Sequence, residues 1–557
     1  MVQVDSHDEK PKRRNSSKGI GRDWRSRPGD AQSASRARTF CLLVAAFSLV
    51  LSACTSNGTD DPSTPDTSVT TSTEATSEEP PETSGPAADT TLVIGDSGEP
   101  PNWDFINAPV TSNWISLVRN VVETLVEKGE NGEIEPLLAE MTISDDGLQY
   151  EFTIREALFH DGTPLDASDV AYSLEAARGS EHALVSTPMT AVETIEVTDE
   201  NTVTVTLSQP SQNFIEGIAG PSGLIVPEGS LDRLLEGEGP IGTGPFVFGE
   251  WRPGVDVTYA RFDDYWGEQP YFETVTWRFI TEANALISAL LAGDIDMIAR
   301  LTDGFDRLAT IEESDDLEVV TLPAPETLFL SMNGELALFD DERVRQAIAH
   351  AVDRNTIIDG ALNGLAEPTC VYANPKGVEW DSDYCPFPYD PDLAATLLVD
   401  ASLTDLDLEL KHLTQGAHPR MAEIIADMLS QVGVTVRLEG RDLATYIDEV
   451  IVQDPPGYEI TLLGSPARID AWVCPGRFTR DCVAEFDDLL LQADAALDRE
   501  VWASLRRQAV ELHADRAFLI PIANQHTVSA MRLDLDGLSP SVDLTSELDL
   551  RSLKWED

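Results

Sequence analysis

The 557-residue chain carries 98 Asp and Glu against 38 Lys and Arg, which gives a formal charge of −60 at pH 7. This acidic balance excludes nucleic-acid binding, because phosphate backbones are bound by clustered Lys and Arg. The length excludes one simple core and predicts two or three lobes in the folded part.

The chain begins with a segment typical of an export signal. Residues 1–38 contain ten Lys and Arg, and an uncharged apolar run extends from Phe40 to Leu51, just before Cys54. This run is too short to cross about 30 Å of hydrocarbon comfortably, so we predict a signal peptide over residues 1–53. Whether export follows the general or the twin-arginine route stays open.

The signal ends in Leu51-Ser52-Ala53-Cys54, which resembles a lipobox. The resemblance implies that Cys54 carries a lipid and becomes the first residue of the mature protein. A secretory signal with an incidental cysteine is the alternative. We expect the protein to lie at the outer face of the cytoplasmic membrane.

Residues 54–90 have the composition of a disordered tether. After Cys54 they are mostly Ser, Thr, Pro, Asp and Glu, with no aromatic residue and no Lys or Arg, so they have little to bury. Residues 1–53 carry ten basic and five acidic side chains, a net +5, so the rest of the chain has a charge of −65. We interpret this charge as a self-repelling surface suited to salt or to the cell envelope.

From residue 91, strand-like and helix-like stretches alternate. Period-2 alternation of apolar residues predicts strands, and a period near 3.6 predicts helices. In the first half we expect strands at 91–94, 150–154, 202–207, 246–248, 255–259, 271–280 and 295–298. We expect helices at 114–127, at 166–174 with Asp166 as the N-cap, and at 283–292 before Gly293.

The second half repeats this alternation. We expect strands at 328–333, 406–413, 434–438 and 518–522, and a helix at 420–431. Another helix begins at Asp340 or Asp341 and should bury Val344, Ala347, Ile348, Ala351 and Val352. The alternation predicts an α/β fold with mixed sheets.

The cysteines after Cys54 form two close pairs, Cys370 with Cys385 and Cys474 with Cys482. Outside the cytoplasm, an even number of cysteines in close pairs favours two local disulfides. A zinc site is the alternative, but neither pair has C-x-x-C spacing or a well-placed His partner.

Several segments occur together in an order that resembles one protein family. In chain order they are Ile154-Arg155 with FHDGTPLDASDVAYS at 159–173; GTGPF at 242–246, DYWG at 264–267 and GDID at 293–296; and Asn333, VRQAI at 344–348 and AVDR at 351–354. Together they resemble the extracellular solute-binding proteins for peptide, nickel and opine ABC importers. The resemblance extends from Thr91 to about Ser529.

The resemblance implies a two-lobed, type II periplasmic-binding-protein-like fold, with an extra domain in the first lobe and a hinge between the lobes. Lobe I would comprise residues 91–321 and 526–557, with the extra domain at approximately 127–240. Lobe II would comprise residues 322–525. The hinge strands would cross near 327–333 and 522–525.

Most of these motifs we interpret as structural. The sequence from His160 to Pro164 is typical of a tight turn in which Asp161 caps the backbone. Gly242 and Gly244 are expected to permit special backbone angles or close packing near a lobe junction.

The segment Gly464-Ser465-Pro466-Ala467-Arg468-Ile469-Asp470-Ala471-Trp472 is similar to the family's ligand-facing G-W-S-G-R-x-D-P-D stretch. Ser465 replaces the usual Trp and Ala471 the usual Pro. The resemblance implies ligand contacts from Ser465, Arg468, Asp470 and Trp472, beside a Cys474–Cys482 bridge that would pin the loop.

Arg468 is the residue we expect to bind an acidic group of the ligand, because its planar guanidinium suits a carboxylate. An internal ion pair with Asp470 or a nearby acid is the alternative. Trp472 would supply an apolar wall or pack in the core. From lobe I, the resemblance implies contacts from Trp103 and Asn107, with Trp114 a weaker candidate.

These features predict a receptor, with no enzymatic activity, no cofactor and no metal site, that captures a peptide or peptide-like solute. It would act as a monomer and deliver the solute to a membrane permease. Separate ATPase subunits would supply the energy, because the chain has no G-x-x-x-x-G-K-[ST] loop. The alternatives are a binder of an opine, sugar or metal chelate, an envelope hydrolase, and a signalling or adhesion lipoprotein.

Overall fold

The computed structural model describes residues 90–107, 112–129, 132–301, 303–453, 455–474, 478–538 and 548–556. The predicted signal peptide, the lipid-attachment residue Cys54 and almost all of the tether therefore lie outside the described residues. Within the described part, no helix combines the length and the apolar character needed to cross a bilayer.

The strands account for most of the framework. They are β1 (Thr91–Asp96), β2 (Val126–Lys128), β3 (Ile134–Pro136), β4 (Ala139–Ile143), β5 (Gln149–Ile154), β6 (Val192–Asp199), β7 (Thr202–Leu207), β8 (Phe246–Arg252), β9 (Asp256–Arg261), β10 (Thr274–Phe279), β11 (Met297–Leu301), β12 (Leu317–Met332), β13 (Ala366–Pro368), β14 (Leu406–Leu413), β15 (Val434–Arg441), β16 (Ile460–Pro466), β17 (Leu519–Arg532), β18 (Leu535–Asp536) and β19 (Lys554–Trp555).

The helices cover the sheets. They are α1 (Ser112–Arg119), α2 (Ala167–Arg178), α3 (Ala183–Ser186), α4 (Gln212–Ile218), α5 (Leu231–Glu236), α6 (Ala283–Ala292), α7 (Leu308–Glu312), α8 (Glu342–Ala351), α9 (Arg354–Ala361), α10 (Pro391–Asp400), α11 (His418–Gln431), α12 (Leu443–Ile447), α13 (Ala484–Asp494) and α14 (Arg499–Asp515).

One large mixed sheet runs through the whole body, in the order β15-β14-β16-β12-β17-β11-β1-β10-β9-β8. The two long strands β12 and β17 lie antiparallel at its centre, from the pair Leu317 and Arg532 to the pair Ser331 and Leu519. Strands from the first half of the chain lie on one side of this pair, and β14 to β16 lie on the other. The predicted α/β, two-lobed fold is confirmed, while the exact lobe bounds stay a prediction.

A second, four-stranded antiparallel sheet has the order β4-β5-β7-β6. It lies within the range predicted for the extra domain. Its strands alternate as expected, since Tyr150, Phe152 and Ile154 are buried while the residues between them are exposed. Helices α2 and α4 add Leu174 and Phe214 to the same core.

Two helices begin directly after the capping residues that the sequence predicted. Asp166 accepts hydrogen bonds from the backbone of Ser168 and Asp169 and forms a capping box with Asp169. Of the two candidates for the next cap, Asp341 is the N-cap of α8, because its carboxylate accepts from the Arg343 backbone N–H. The face of α8 and its continuation predicted to be buried is buried.

The predicted helix at 114–127 is wrong in its second half, because α1 ends at Arg119. The carbonyl oxygens that would continue the helix bind other segments. Asn120 accepts from Phe246 at 3.1 Å, Val121 from Gly244 at 3.0 Å and Glu123 from Ile225 at 2.9 Å. The apolar residues after Arg119 are buried from several sides and not along one helical face. Their spacing in the sequence nevertheless resembled that of a helix.

Strands β12 and β17 are much longer than the predicted strands at 328–333 and 518–522. Pro323 and Pro325 break the apolar alternation of the first strand. The pairing of two segments about two hundred residues apart supplies the missing hydrogen bonds, and a local pattern cannot show such pairing.

The two predicted disulfides are confirmed. Cys370 is joined to Cys385 and Cys474 to Cys482, with Cα–Cα distances of 5.0 and 4.9 Å. The second bridge closes the loop that follows the segment 464–472, so it lies beside the predicted ligand-facing residues.

Candidate functional site

Two of the sequence motifs converge on the buried carboxylate of Glu123, which is 3% exposed. It accepts hydrogen bonds from Thr243 Oγ1, Tyr265 OH and Trp266 Nε1, each at 2.8 Å. Desolvation raises the pKa of Glu123, although the three hydrogen bonds oppose this shift. The GTGPF and DYWG motifs are therefore parts of one structural cluster.

His160 belongs to the same scaffold. Its Nδ1 accepts from the Gly242 backbone N–H at 3.3 Å, so the neutral ring carries its proton on Nε2, which lies 2.9 Å from the Gly244 carbonyl oxygen. Burial lowers the pKa of His160 to about 4. The turn around it is the predicted one, with Asp161 Oδ1 accepting from the Thr163 backbone N–H at 3.0 Å.

Gly242 and Gly244 are required by close packing, as predicted. A Cβ on Gly242 would lie 2.0 Å from the Val121 carbonyl oxygen, and one on Gly244 would lie 2.8 Å from it. The Val121 backbone cannot move aside as a flexible side chain can. Any larger residue at these positions would therefore displace the start of β8 at Phe246.

The arginines of the motifs in the second half of the chain also bind backbone carbonyl oxygens. Arg345 donates to the carbonyl oxygens of Arg516 and Phe339. Arg354 Nε donates to those of Thr369 and Pro521 at 2.8 and 2.9 Å. Each buried guanidinium thereby satisfies carbonyls from segments distant in sequence, which identifies these motifs as scaffold.

The segment predicted to bind ligand begins in β16, which pairs with the long central strand β12. Strand β16 ends at Pro466, and its Ser465 and Pro466 pair with Thr327 and Glu326 of β12. The chain then turns, with the Arg468 backbone N–H donating to the Pro466 carbonyl oxygen at 2.8 Å. This turn places Arg468 just beyond the end of β16, next to the strand pair that β16 forms with β12.

Arg468 is exposed, and its charge acts on a residue distant in sequence, His182. Burial is the main cause that lowers the pKa of His182, and the positive charge of Arg468 is the second cause. His182 is the N-cap of α3, in the range predicted for the extra domain. Asp470 forms its ion pair with Arg506, at 3.4 Å between Oδ1 and Nη1. Asp470 is 43% exposed. Contact of either residue with a ligand stays a prediction.

Two tryptophans predicted as candidate ligand contacts lie inside cores. Trp103 is 0% exposed and packs edge-on against Phe248 at 4.7 Å between ring centroids. Trp472 is 3% exposed and packs edge-on against Tyr372 at 4.9 Å. For Trp472 the structure favours the packing alternative, and Trp103 presents no surface to a ligand in this conformation.

The other predicted contacts differ in their settings. Ser465 is partly exposed and is the next-to-last residue of β16. Asn107 is exposed, and its Oδ1 accepts from the Glu181 backbone N–H at 3.3 Å, which ties the early loop to the segment before His182. Trp114 belongs to α1, but its side chain lies outside the described part.

A group of polar residues on and beside the central strands gave almost no signal in the sequence. Thr327 Oγ1 donates to Asn524 Oδ1 at 2.8 Å, which joins β12 to β17 at the crossing point. Glu326 is the residue before Thr327 on β12. The Tyr372 hydroxyl donates a hydrogen bond to the Pro466 carbonyl oxygen. Only the position of Tyr372, two residues after Cys370, gave any sequence signal for this group.

Burial raises the pKa of Tyr372 to about 12, while Ser465 and Arg468 lower it and the charge of Glu326 raises it. Both a positive and a negative side chain thus lie near this hydroxyl. Charged groups placed in this way can orient a small solute. The described residues contain no group of three or more His, Cys, Asp or Glu placed to hold a metal ion.

A second set of contacts joins α4, in the range predicted for the extra domain, to α13 and α14. Asp494, at the end of α13, accepts from Ser211 Oγ at 2.9 Å and from the Asn213 backbone N–H at 2.7 Å. Arg499 Nη1 lies 3.3 Å from Glu216 Oε1. These contacts hold the N-terminus of α4 against the α13–α14 junction.

Comparison with known proteins places this geometry in a family context. The family model for bacterial extracellular solute-binding proteins, family 5 (middle region), matches residues 133–462. A glutathione-binding protein GsiB of Salmonella paratyphi A is 29% identical over 344 residues, 60% of this chain and 66% of the relative. The chain thus spans just under two thirds of that relative. The GsiB of Shigella dysenteriae is 28% identical over 73% of this chain and 83% of its own length.

Solved structures of similar fold cover 84% of the chain. The binding protein AgaA from A. tumefaciens R10, in complex with agropinic acid, is 27% identical with a TM-score of 0.69 and is covered over 99% of its length. The oligopeptide-binding protein AppA of Bacillus subtilis, in complex with a nonapeptide, is 23% identical with a TM-score of 0.68 and is covered over 99%. The likeness to AppA shows the fold alone.

Proposed function

Because the chain belongs to the bacterial extracellular solute-binding proteins of family 5, we propose that it is the receptor of an ABC importer. It captures a peptide or peptide-like solute between its two lobes and delivers that solute to the membrane permease. The protein is a carrier and not an enzyme, and it works as a monomer without cofactor.

One observation carries this proposal, namely the position of Arg468. Its guanidinium is exposed at the end of β16, beside the strands that join the lobes, and its charge acts on His182 of the opposite side. A solute carboxylate bound there would contact both lobes, which is how a ligand favours closure. Glutathione and peptides, the ligands in the names of the relatives, carry such a carboxylate.

A second candidate function is the binding of an opine-like acid. It is favoured by the likeness to AgaA, whose structure contains agropinic acid. The same Arg468 would serve such a ligand. Sugars, metal chelates and a role in signalling or adhesion without a permease have no specific observation in their favour.

We further propose that the receptor is anchored at the outer face of the cytoplasmic membrane by a lipid on Cys54. The sequence around Cys54 supports this proposal, and the acidic tether would hold the lobes clear of the membrane. Replacing Cys54 with Ala should move the protein from the membrane fraction to the soluble fraction of the cell envelope. Retention of the variant at the membrane would contradict lipid anchoring.

The solute class is tested by thermal unfolding of the purified protein with a panel of peptides, glutathione, opines, sugars and metal chelates. A ligand at a hundredfold excess over Kd stabilises the native state by about 2.7 kcal/mol. We expect peptides to raise Tm and Arg468→Ala to abolish that rise. Arg437→Ala is the matched control, because Arg437 is 52% exposed on β15 and pairs with Asp407.

Full peptide affinity in the Arg468→Ala variant would show that Arg468 does not bind the peptide's carboxylate. A response to opines but not to peptides would favour the second candidate. If folded protein responds to none of these compounds, the transport proposal is wrong.

A further inference from the structure

Two histidines lie on either side of the turn that joins β14 to α11. His412 is the next-to-last residue of β14, and His418 is the first residue of α11. Residues 414–417 form the turn between these elements, and Gly416 within it has a φ of 60°. A left-handed residue reverses the chain within a few residues, as a short strand-to-helix turn requires. The two imidazole rings therefore belong to one local unit.

The ring of His418 has unused hydrogen-bonding capacity. Both of its nitrogens, Nδ1 and Nε2, are buried, and in the part of the chain that the structure describes neither has a hydrogen-bond partner. Buried polar atoms in native proteins are nearly always satisfied, so two such atoms on one ring need an explanation. A protonated ring would be an unpaired buried charge, which is costly. The ring is therefore neutral, and one of its nitrogens carries a lone pair.

His412 is held in the tautomer that a metal ion needs. Its Nδ1 lies 2.8 Å from the Leu413 carbonyl oxygen. A carbonyl oxygen can only accept, so the neutral ring has its proton on Nδ1 and its lone pair on Nε2. A backbone carbonyl that fixes the tautomer in this way is the usual support of a metal-binding imidazole.

Gly440 leaves the edge of the His412 ring that carries Nε2 accessible. It is the register partner of His412 on the neighbouring strand β15. A Cβ on Gly440 would lie 3.7 Å from His412 Nε2 and 3.4 Å from Cε1, so a larger side chain would lie against this edge. The glycine therefore leaves room for a ligand beside Nε2.

The two rings also lie within electrostatic range of each other. Burial is the main cause that lowers the pKa of His418, and the charge of His412 adds to this shift. The Gln415 backbone, which is near the ring but outside hydrogen-bond geometry, opposes it. Two neutral imidazoles with free lone pairs suit zinc, nickel and copper ions, whereas magnesium and calcium ions prefer oxygen ligands.

We propose that His412 and His418 together bind one divalent transition-metal ion of the zinc, nickel and copper class, through Nε2 of His412 and one ring nitrogen of His418. The ion ties the end of β14 to the start of α11. Water and backbone oxygens complete its coordination, since the described residues contain no group of three or more His, Cys, Asp or Glu placed to hold a metal. The site goes beyond the proposed function, because it needs neither a solute nor the permease.

The test titrates Cu²⁺, Ni²⁺, Zn²⁺ and Mg²⁺ into the purified protein by calorimetry. The variants are His412→Gln, His418→Gln and Gly440→Val, of which the last removes no metal ligand and covers Nε2 of His412. The matched control is His526→Gln, because His526 is a partly exposed histidine of β17. Circular dichroism and Tm without metal establish that each variant is folded.

We expect wild type to bind one ion of Cu²⁺, Ni²⁺ or Zn²⁺ per chain, with Cu²⁺ bound most tightly. Each histidine variant should weaken this binding by at least about tenfold, since loss of even a supporting group around a metal costs that much. Gly440→Val should weaken it as well, and His526→Gln should behave as wild type. Mg²⁺ binds to surface carboxylates, so its binding should be the same in all variants.

The electron paramagnetic resonance spectrum of the Cu²⁺ complex counts the imidazole ligands directly. Wild type and His526→Gln should show coupling to two imidazole nitrogens, and each of His412→Gln and His418→Gln should show coupling to one. A merely structural role for either histidine would not change this count.

Absence of Cu²⁺, Ni²⁺ and Zn²⁺ binding by folded wild type would overturn the inference. Binding that is unchanged in both histidine variants would overturn it too, because the ions would then lie on surface carboxylates. Loss of binding in only one of the two variants would exclude a shared site. If a histidine variant does not fold, the Gly440→Val affinity and the wild-type nitrogen count decide. None of these results bears on the importer proposal.

Discussion

At the scale of single residues, the buried carboxylate of Glu123 explains why distant motifs occur together. Thr243, Tyr265 and Trp266 all donate to it, so two distant segments of the chain share one acceptor. Losing that acceptor leaves several buried donors unpaired, which is more costly than losing a single exposed hydrogen bond.

We therefore expect Glu123→Ala to lower the free energy of unfolding by roughly 3 kcal/mol or more, since each unpaired buried donor costs about 1–3 kcal/mol. Glu123→Gln should cost less, because its amide oxygen can still accept from Trp266 and Thr243. Urea unfolding of both variants measures the difference. Equal stability of the Ala and Gln variants would contradict the shared-acceptor explanation.

The same residue predicts a pH dependence. Desolvation raises the pKa of Glu123 above its ordinary value of 4.5, so the folded state binds this proton more tightly than the unfolded state. The stability from this site is therefore complete below pH 4.5 and is lost as pH rises through the folded pKa. Between pH 4.5 and 7, wild type should lose stability relative to Glu123→Gln, and the opposite slope would contradict this sign.

At the scale of elements, α4 and α13 form the contact that we expect to hold the lobes closed. The Asp494 carboxylate accepts from Ser211 and Asn213 at the start of α4, and Gln212 Nε2 donates to the Ala496 carbonyl oxygen at 2.8 Å. Desolvation raises the pKa of Asp494, although its hydrogen bonds to Asn213 and Ser211 oppose this shift. Its hydrogen bonds exist only while these elements touch.

Removing this acceptor should favour the open form. We expect Asp494→Ala to weaken binding of the solute identified by the thermal panel by about tenfold, the loss of one charge-assisted hydrogen bond. The radius of gyration of the ligand-bound protein, measured by small-angle X-ray scattering, should increase. Asp488→Ala, an exposed residue of the same helix, is the control. A compact Asp494→Ala complex with unchanged affinity would show that the contact does not govern closure.

At the scale of the whole molecule, the charge of −60 is the dominant feature. Ion pairs such as Arg516 with Asp481 and Arg437 with Asp407 neutralise only some of the acidic side chains. The remaining carboxylates repel one another, and this repulsion opposes the compact state.

Stability should therefore rise with salt. Between 0.01 and 0.15 M salt the Debye length falls from about 30 to about 8 Å, which screens repulsion across the surface. We expect Tm to increase over this range to a similar extent in NaCl and KCl. A fall in Tm would mean that attractive ion pairs outweigh the repulsion.

Much of the architecture could be predicted from local sequence. Alternation gave strands such as β5, β7 and β14, and side-chain caps gave the start of α2, because these signals depend on neighbouring residues only. The cysteine pairs predicted both disulfides. The order of the motifs gave the two-lobed fold.

The candidate site was only partly accessible to the same reasoning. The segment 464–472 was identified by resemblance, and Arg468 lies just after the end of β16, which pairs with β12. The burial of Trp103 and Trp472 could not be predicted, because an aromatic side chain has the same local signal in a core as in a cleft wall. Glu326 gave no signal, since its setting depends on the register of β12 with β16.

The sequence by itself determined the secondary-structure alternation, the disulfide pairs and the acidic charge, because each depends on composition or on short spacing. Tertiary structure alone decided where α1 ends, how far β12 and β17 extend, and which polar residues meet at the lobe junction. Those features depend on hydrogen-bond partners and register across hundreds of residues. Only the folded chain brings these partners together, as where Tyr372 meets the end of β16.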